Sequence, residues 1–273
     1  MKRVINIYPD RTLAVALGML PFFLILFLYV GASNARLAEN PNDKILPALS
    51  TMSETVTRLA TEPNRRTGDL VLWADTSASL KRLLTGVGIS MVIGLAVGIV
   101  TGLIPVMNNT LSPLVKVISM IPPLAVLPIL FISLGIGELA KVVLIVFGVV
   151  PFLMRDIQQR VEELPTELLV KAQTLGASTW QIILRVVLPQ VTPRLLDATR
   201  LALGSAWLFL IASEAIAATE GLGYRIFLVR RYLDMDVILP YVAWITLLAF
   251  ALDMSLRLCN RMLFPWYGSG GRR

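Results

Sequence analysis

The chain has 273 residues, 56% hydrophobic and only 16% charged, with a formal net charge of +7, no histidine and one cysteine, Cys259. Soluble domains of this size carry about a quarter charged residues, so long apolar runs with so few charges make lipid the solvent for most of the protein. The histidine and cysteine counts exclude intrachain disulfides, Cys/His metal sites, Ser–His–Asp or Cys–His nucleophiles and histidine proton relays, and basic residues placed beside apolar runs read as a membrane pattern rather than a nucleic-acid surface.

The first predicted element is Thr12–Gly31, uncharged and long enough for one span at about 20 residues. Lys2, Arg3 and Arg11 precede it as in a signal peptide. The run nevertheless exceeds an h-region of about 7–15 residues, and Gly31–Ala35 is a weak cleavage signal, so a retained helix is expected. Residues 32–82 are polar and mixed in charge. Within them Leu49, Met52, Val56 and Leu59 share a helical face, which fits either a helix on the membrane surface or a solvated loop.

No charge occurs from Leu83 to Val115. Pro105, Asn108 and Asn109 predict a break between a helix ending near Ile104 and one starting near Leu111. Gly86, Ser90, Gly94, Gly98 and Gly102 recur every four residues, a stripe on which another backbone approaches closely. Static packing in the bundle is favoured there over helix sliding or a dimer contact. The third span runs to about Gly137 through Pro122, Pro123 and Pro128; its kink either lines a solute path or is plain curvature. Further spans are expected over Leu139–Met154, Leu201–Ala218 and Val237–Leu256.

The expectation is an all-α, polytopic membrane bundle of about six transmembrane helices. Lys2, Arg3, Arg11, Arg257, Arg261, Arg272 and Arg273 in the tails, against Asp10 alone, place both termini in the cytoplasm. The organisation is then a cytoplasmic tail and first helix (1–31), a periplasmic segment (32–82), a core (83–260) with a cytoplasmic loop (155–200), and a cytoplasmic tail (261–273).

In that loop Thr166 is a candidate N-cap after Pro165, and Glu167–Leu175 forms a short helix with Leu168, Leu169, Ala172 and Leu175 on one face. Gly176 ends it, and Ser178 or Thr179 restarts a helix running to Leu188-Pro189. The apolar face has no lipid to enter, so it packs either on a protein partner or on its own bundle; periodicity does not choose.

Permeases of binding-protein-dependent ABC importers have a cytoplasmic motif Glu-Ala-Ala-x3-Gly-x9-Ile-x-Leu-Pro. This chain resembles it with Val170-Lys171-Ala172, Gly176, Val186, Leu188 and Pro189 at the same spacing, lacking the Glu and the first Ala. It is further similar to the nitrate/sulfonate/taurine/bicarbonate branch through Ser79–Arg82, Ile121-Pro122-Pro123-Leu124, Gly135-Ile136-Gly137, Ala206-Trp207, Glu214, Gly221-Leu222-Gly223 and Pro265-Trp266. The resemblance implies a bacterial inner-membrane permease subunit, not an enzyme, with a coupling helix made by Glu167, Leu168, Leu169, Lys171, Ala172, Leu175, Gly176, Ala177 and Ser178. It also implies a dimer of ATP-binding-cassette ATPases as partner, a second permease copy (a homodimer) and a periplasmic or tethered solute-binding protein. No cofactor is expected in this chain; ATP and Mg belong to the partner, and the sequence has no Gly-x4-Gly-Lys-Ser/Thr loop.

For the translocation path or gate the candidates are Ser119, Met120, Pro122, Pro123, Ser205, Ser213 and Glu214. An ionisable group at membrane depth defaults to function. The branch is acidic at the Glu214 position, yet its solutes are often anions. A structural or gating role with Arg225, Arg230 or Arg231 is therefore expected rather than solute binding. Asp253 and Arg257 read as an i,i+4 ion pair. The rival class, a secondary transporter or channel, would show midplane coupling charges or a repeat with matched broken helices. The resemblance leaves nitrate, a sulfonate or taurine, and bicarbonate as solutes; Glu39–Lys44 and Trp73–Thr76 are faintly similar to permeases beside urea-carboxylase-type enzymes, leaning toward a urea- or guanidine-like compound.

Overall fold

Each apolar run becomes a helix, because a backbone in lipid must satisfy its own hydrogen bonds. The computed structural model describes residues 10–41, 43–64 and 68–267. Lys2, Arg3 and the tail from Gly268, which carry part of the charge argument for the termini, lie outside the described residues.

In chain order the long elements are α1 (Arg11–Glu39), α2 (Leu49–Thr61), α3 (Val71–Leu103), α4 (Pro105–Ile118), α5 (Pro123–Leu134) and α6 (Glu138–Glu162). They continue with α7 (Thr166–Thr174), α8 (Thr179–Ile182), a π-helical turn (Ile183–Val187), α9 (Leu188–Ala217), α10 (Leu222–Val229), a 3₁₀ turn (Arg230–Tyr232) and α11 (Met235–Leu263). Among the described residues, α1, α3, Thr179–Ala217 and α11 are each long and apolar enough to cross a membrane. α4 and α5 form a pair bent by 92°. α6 has the length of a span, 25 residues, but includes Glu138, Lys141, Arg155 and Asp156.

The core lies between α3, α6 and α9, where Leu83, Leu144, Ile145, Val149, Leu153, Ile157 and Leu210 are fully buried. The small-residue stripe of α3 makes this packing. A Cβ added at Gly86, Gly94, Gly98 or Gly102 would come within 2.6–2.8 Å of Ile145, Leu153, Ile157 or Val161 on α6. Ser90, buried in the same stripe, returns its hydroxyl to the Gly86 carbonyl at 2.7 Å. The close approach is therefore within one chain.

Several sequence expectations are corrected. α3 starts at Val71 rather than near Leu83, so Ser79–Arg82 are helical rather than loop, with Ser79 and Arg82 buried and Lys81 exposed. The next helix starts at Pro105, in the N1 position that suits proline, and Asn108 and Asn109 lie inside it. The third span is not one kinked helix but two, parted at Ser119–Pro122, because Pro122 and Pro123 in succession cannot continue the ladder. α1 continues past Gly31 to Glu39. Val56 and Leu59 of α2 pack on the core, against α3 and α11, rather than on lipid alone.

Candidate functional site

Two places concentrate polar chemistry: a buried ion network at one end of the helix bundle, and a cleft at the α4–α5 elbow. The first is assembled from α3, α6, α9, α10 and α11. Asp75, Ser79 and Arg82 stand at i, i+4 and i+7 on α3, hence on one face, and all three are buried. Glu214 of α9, with no exposed surface, accepts Ser79 Oγ at 2.8 Å, Arg82 Nη1 at 2.7 Å and the Gly223 amide at 2.8 Å. Arg82 also donates Nη2 to Glu138 at 2.8 Å and Nη1 to the Glu220 carbonyl at 2.9 Å, while Lys141 Nζ reaches Glu138 at 2.7 Å.

The turn into α10 is held by three consecutive amides. Gly221 N donates to Asp75 Oδ1, Leu222 N to Ser79 Oγ and Gly223 N to Glu214 Oε2, at 2.9, 2.8 and 2.8 Å. Gly221 has φ +130°, and a Cβ there would lie 2.6 Å from the Glu214 carboxylate and 2.8 Å from Arg82, so glycine is required twice over. Asp75 is closed by Arg225 Nε at 2.8 Å and the Tyr241 hydroxyl at 3.0 Å. Arg82, Lys141 and Arg225 face Asp75, Glu138 and Glu214, with the exposed Glu220 carboxylate 4.0 Å from Arg82 as a fourth acid. Glu214 thus pairs with Arg82 and not with Arg225, Arg230 or Arg231. Each buried charge is paired and hydrogen-bonded, which is the condition for tolerating it.

A second set ties α9 to α11 farther along. Arg200 Nε donates to Asp253 at 2.8 Å and Nη1 to Asp197 at 3.2 Å, and Asn260 Nδ2 bonds Asp197 and the Pro193 carbonyl. The expected Asp253–Arg257 pair is present at 3.2 Å but is secondary to Arg200.

At the elbow, a cavity of about 430 Å³ lies between Ile118–Pro123 and the α6 face running from Phe147 to Gln159. Ser119 and Pro123 line it; Met120 and Pro122 are exposed beside it. Ser205 and Ser213 bond the carbonyls of Ala202 and Leu210 on their own helix, and Ser213 and Glu214 are sealed in the core. The structure therefore brings Ser119 and Pro123 to a cavity and Ser213 and Glu214 to the core. Among the described residues no three His, Cys, Asp or Glu side chains are grouped to hold a metal.

The loop helix α7 ends as glycine placement predicts. Gly176 has φ +78°, its amide bonds the Gln173 carbonyl at 2.9 Å, and the Ala177 amide bonds Ala172 O at 3.1 Å, the paired bonds of a Schellman end. Ser178 then caps α8 in a reciprocal box with Gln181. Thr166 is the first helical residue, and Pro165 occupies the N-cap. The apolar face divides: Leu169 and Ala172 turn to the bundle, whereas Leu168, Val170 and Leu175 are exposed, as are Trp180 and Leu184 beyond. Just before α7, Glu163 takes a 2.9 Å bond from Arg160, which is the main cause holding its carboxyl below the ordinary range.

Residues 90–268 match the family described as the binding-protein-dependent transport system inner membrane component. The chain is 36% identical over 200 residues to the taurine transport system permease protein TauC of Escherichia coli (strain K12), covering 73% of each chain. It is 26% identical over 199 residues to the bicarbonate transport system permease protein CmpB of Synechocystis sp., covering 72% of this chain and 71% of that one. The fold is similar to the inward-facing MetNI methionine ABC transporter (TM-score 0.62, 24% identity, 70% of this chain and 95% of that chain). It is also similar to a bacterial ABC transporter that imports alginate (TM-score 0.58, 14% identity, 93% and 96%).

Proposed function

The chain belongs to the family of binding-protein-dependent transport system inner membrane components, and from that premise we propose how it is coupled, oriented and supplied. It is the permease subunit of an ATP-binding-cassette importer, a transport subunit and not an enzyme. We assign α7 as the coupling helix that docks on a separate ATPase dimer, which carries ATP and Mg. The observation supporting this is the short, Schellman-ended helix between α6 and α9 with no residue buried, holding Leu168 and Leu175 outward on one face. An apolar face with neither core nor lipid against it is the surface a partner covers.

In this reading the functional unit pairs two copies of the chain and receives solute outside from a binding protein. Six spans (α1, α3, the bent α4–α5 pair, α6, α9 and α11) put both termini in the cytoplasm. Alternating access moves a small polar solute past the elbow. The names of the relatives support taurine or another sulfonate, or bicarbonate, with nitrate in the same branch and a urea- or guanidine-like compound as the remaining option. Ser119, Met120, Pro122 and Pro123 belong to the path side of this proposal, and Glu214 to the frame that the path moves against.

The test is co-expression with a candidate ATP-binding-cassette ATPase. Expected are co-purification, and ATP hydrolysis stimulated by the loaded binding protein and lost in Leu175→Glu, whose side chain faces outward. Solute transport by this chain reconstituted without any ATPase would refute the coupling and revive a secondary transporter.

A further inference from the structure

The elbow cleft is unlike its neighbour. An adjoining cavity of about 430 Å³, sharing Ile118, Phe147 and Pro151 with it, is walled by apolar side chains alone. The elbow cleft instead carries Arg155, Asp156 and Gln159 on its α6 wall and Ser119 on the elbow facing them. Its volume lies in the ~300–1,000 Å³ range of small-molecule sites. Counting along α6 at about 1.5 Å per residue, Arg155 stands about 25 Å from Glu138 at the outer end, inside the depth of a ~30 Å hydrocarbon core.

Arg155 is the cation of the cleft lining. Arg82, Lys141, Arg200 and Arg257 on the long helices and Arg225 on α10 each meet a carboxylate, whereas Arg155, like Lys81 on α3 and Lys116 on α4, meets none among the described residues. Asp156, beside Arg155 on the cleft wall, faces Arg160 at 3.9 Å, and Arg160 is held more closely by Glu163. Among the described residues Arg155 makes no ion pair; its guanidinium reaches the Ser119 hydroxyl at 3.5 Å. A guanidinium projecting into a polar cleft without its own carboxylate is a fork for a carboxylate, sulfonate or similar oxyanion. The Asp156 carboxylate repels such a group from the rest of the wall and confines it to the Ser119–Arg155 end.

We infer that the elbow cleft is an anion-accepting station on the solute path, with Arg155 and Ser119 meeting the anionic head, so that the imported solute is a small oxyanion. This rests on the importer reading above and narrows its substrate class. It sets aside a urea- or guanidine-like solute, which would find no counter-charge in Arg155. The sequence did not mark Arg155, which reads as the first charge of a cytoplasmic loop.

The experiment uses the full assembly with its ATPase, carrying Cys259→Ala and Ser119→Cys. The thiol is reacted with 2-sulfonatoethyl methanethiosulfonate and with its trimethylammonium analogue, and the rate ratio is compared with that of a free thiol. The sulfonate reagent should be favoured at least about tenfold, the effect of one charge roughly 6 Å away at an effective dielectric of about 40. Adding Arg155→Gln should bring the ratio down to the free-thiol value or below it, since Asp156 remains on the wall, while Arg155→Lys should keep the preference. In proteoliposomes supplied with the binding protein, uptake of labelled taurine, ethanesulfonate or bicarbonate should fall at least about tenfold in Arg155→Gln, with binding-protein-stimulated ATP hydrolysis retained. An unchanged reagent ratio in Arg155→Gln, or wild-type uptake of urea with none of the three anions, overturns the anion station and leaves the importer reading standing. ATP-independent transport by the chain alone would instead remove the importer reading itself.

Discussion

Removing Arg82 tests whether the buried ion network holds the bundle together. In Arg82→Met the fully buried Glu214 keeps Ser79 Oγ and the Gly223 amide but loses the cation paired with it, the Glu220 carbonyl loses its Arg82 donor, and Glu138 is left with Lys141. Breaking one side of a buried pair costs about 3–5 kcal/mol. Glu214→Gln is milder, because Arg82 retains Glu138 and the Glu220 carbonyl and the amide can still accept; about 1–3 kcal/mol is expected. The double variant should cost less than the sum, since neither charge is then stranded. The assay is the unfolding midpoint of detergent-solubilised protein followed by tryptophan fluorescence, where about 2–4 °C per kcal/mol makes Arg82→Met the largest drop, about 6–20 °C. An Arg82→Met protein as stable as wild type, or strict additivity in the double variant, would refute the reasoning.

The α3 stripe makes a second test: Gly98→Leu puts a Cβ 2.7 Å from Ile157 Cβ and should lower detergent stability by about 1–3 kcal/mol, while Gly88→Leu, with nothing within 4 Å, should not. Single cysteines in a Cys259→Ala background should label from the cytoplasm at Gln173 and from the outside at Thr61; periplasmic labelling of Gln173 would invert the topology. Gly176→Val places a β-branched side chain at φ +78°, which the left-handed region rejects. Uptake and ATPase stimulation should be lost with the protein still folded in the membrane, and full uptake would detach α7 from coupling.

What the sequence made legible was whatever a single segment decides. Apolar length marked α1, α3, α9 and α11, and four-residue spacing marked the stripe. Gly176 followed by Ser178 marked the end of α7 and the start of α8. Contacts between distant residues were not legible: Glu214 meets Ser79 and Arg82 across more than 130 residues of chain, and nothing local names the partner. One signal was available and overlooked. Asp75, Ser79 and Arg82 extend the Gly86–Ser90–Gly94 periodicity backward by about three turns, so the buried face of α3 was written through a stretch whose polarity suggested a loop. The elbow was half legible: Pro122-Pro123 announced a disruption, but a 92° bend is set by what α4 and α5 each pack on, α3 for one, α6 and α9 for the other.

The two ends of the bundle differ in how they are fastened, and this bears on how a push at α7 would travel. At one end, five helices share an ion network in which, among the described residues, each buried charge is paired. At the other end, α4 meets α6 through Asn108–Glu162 and Ser112–Gln158, and α9 meets α11 through Arg200–Asp253, with no residue common to both sets. α7 reaches α9 through α8 and a π turn just ahead of Pro189, where the α-helical ladder is already interrupted. A push passed from α7 to α9 would therefore meet the Arg200–Asp253 pair before the shared ion network. With α3 and α6 zipped along the glycine stripe and α4 tied to α6 through Asn108 and Ser112, the interruption among these packed helices is the Ser119–Pro122 break of the elbow, beside the cavity.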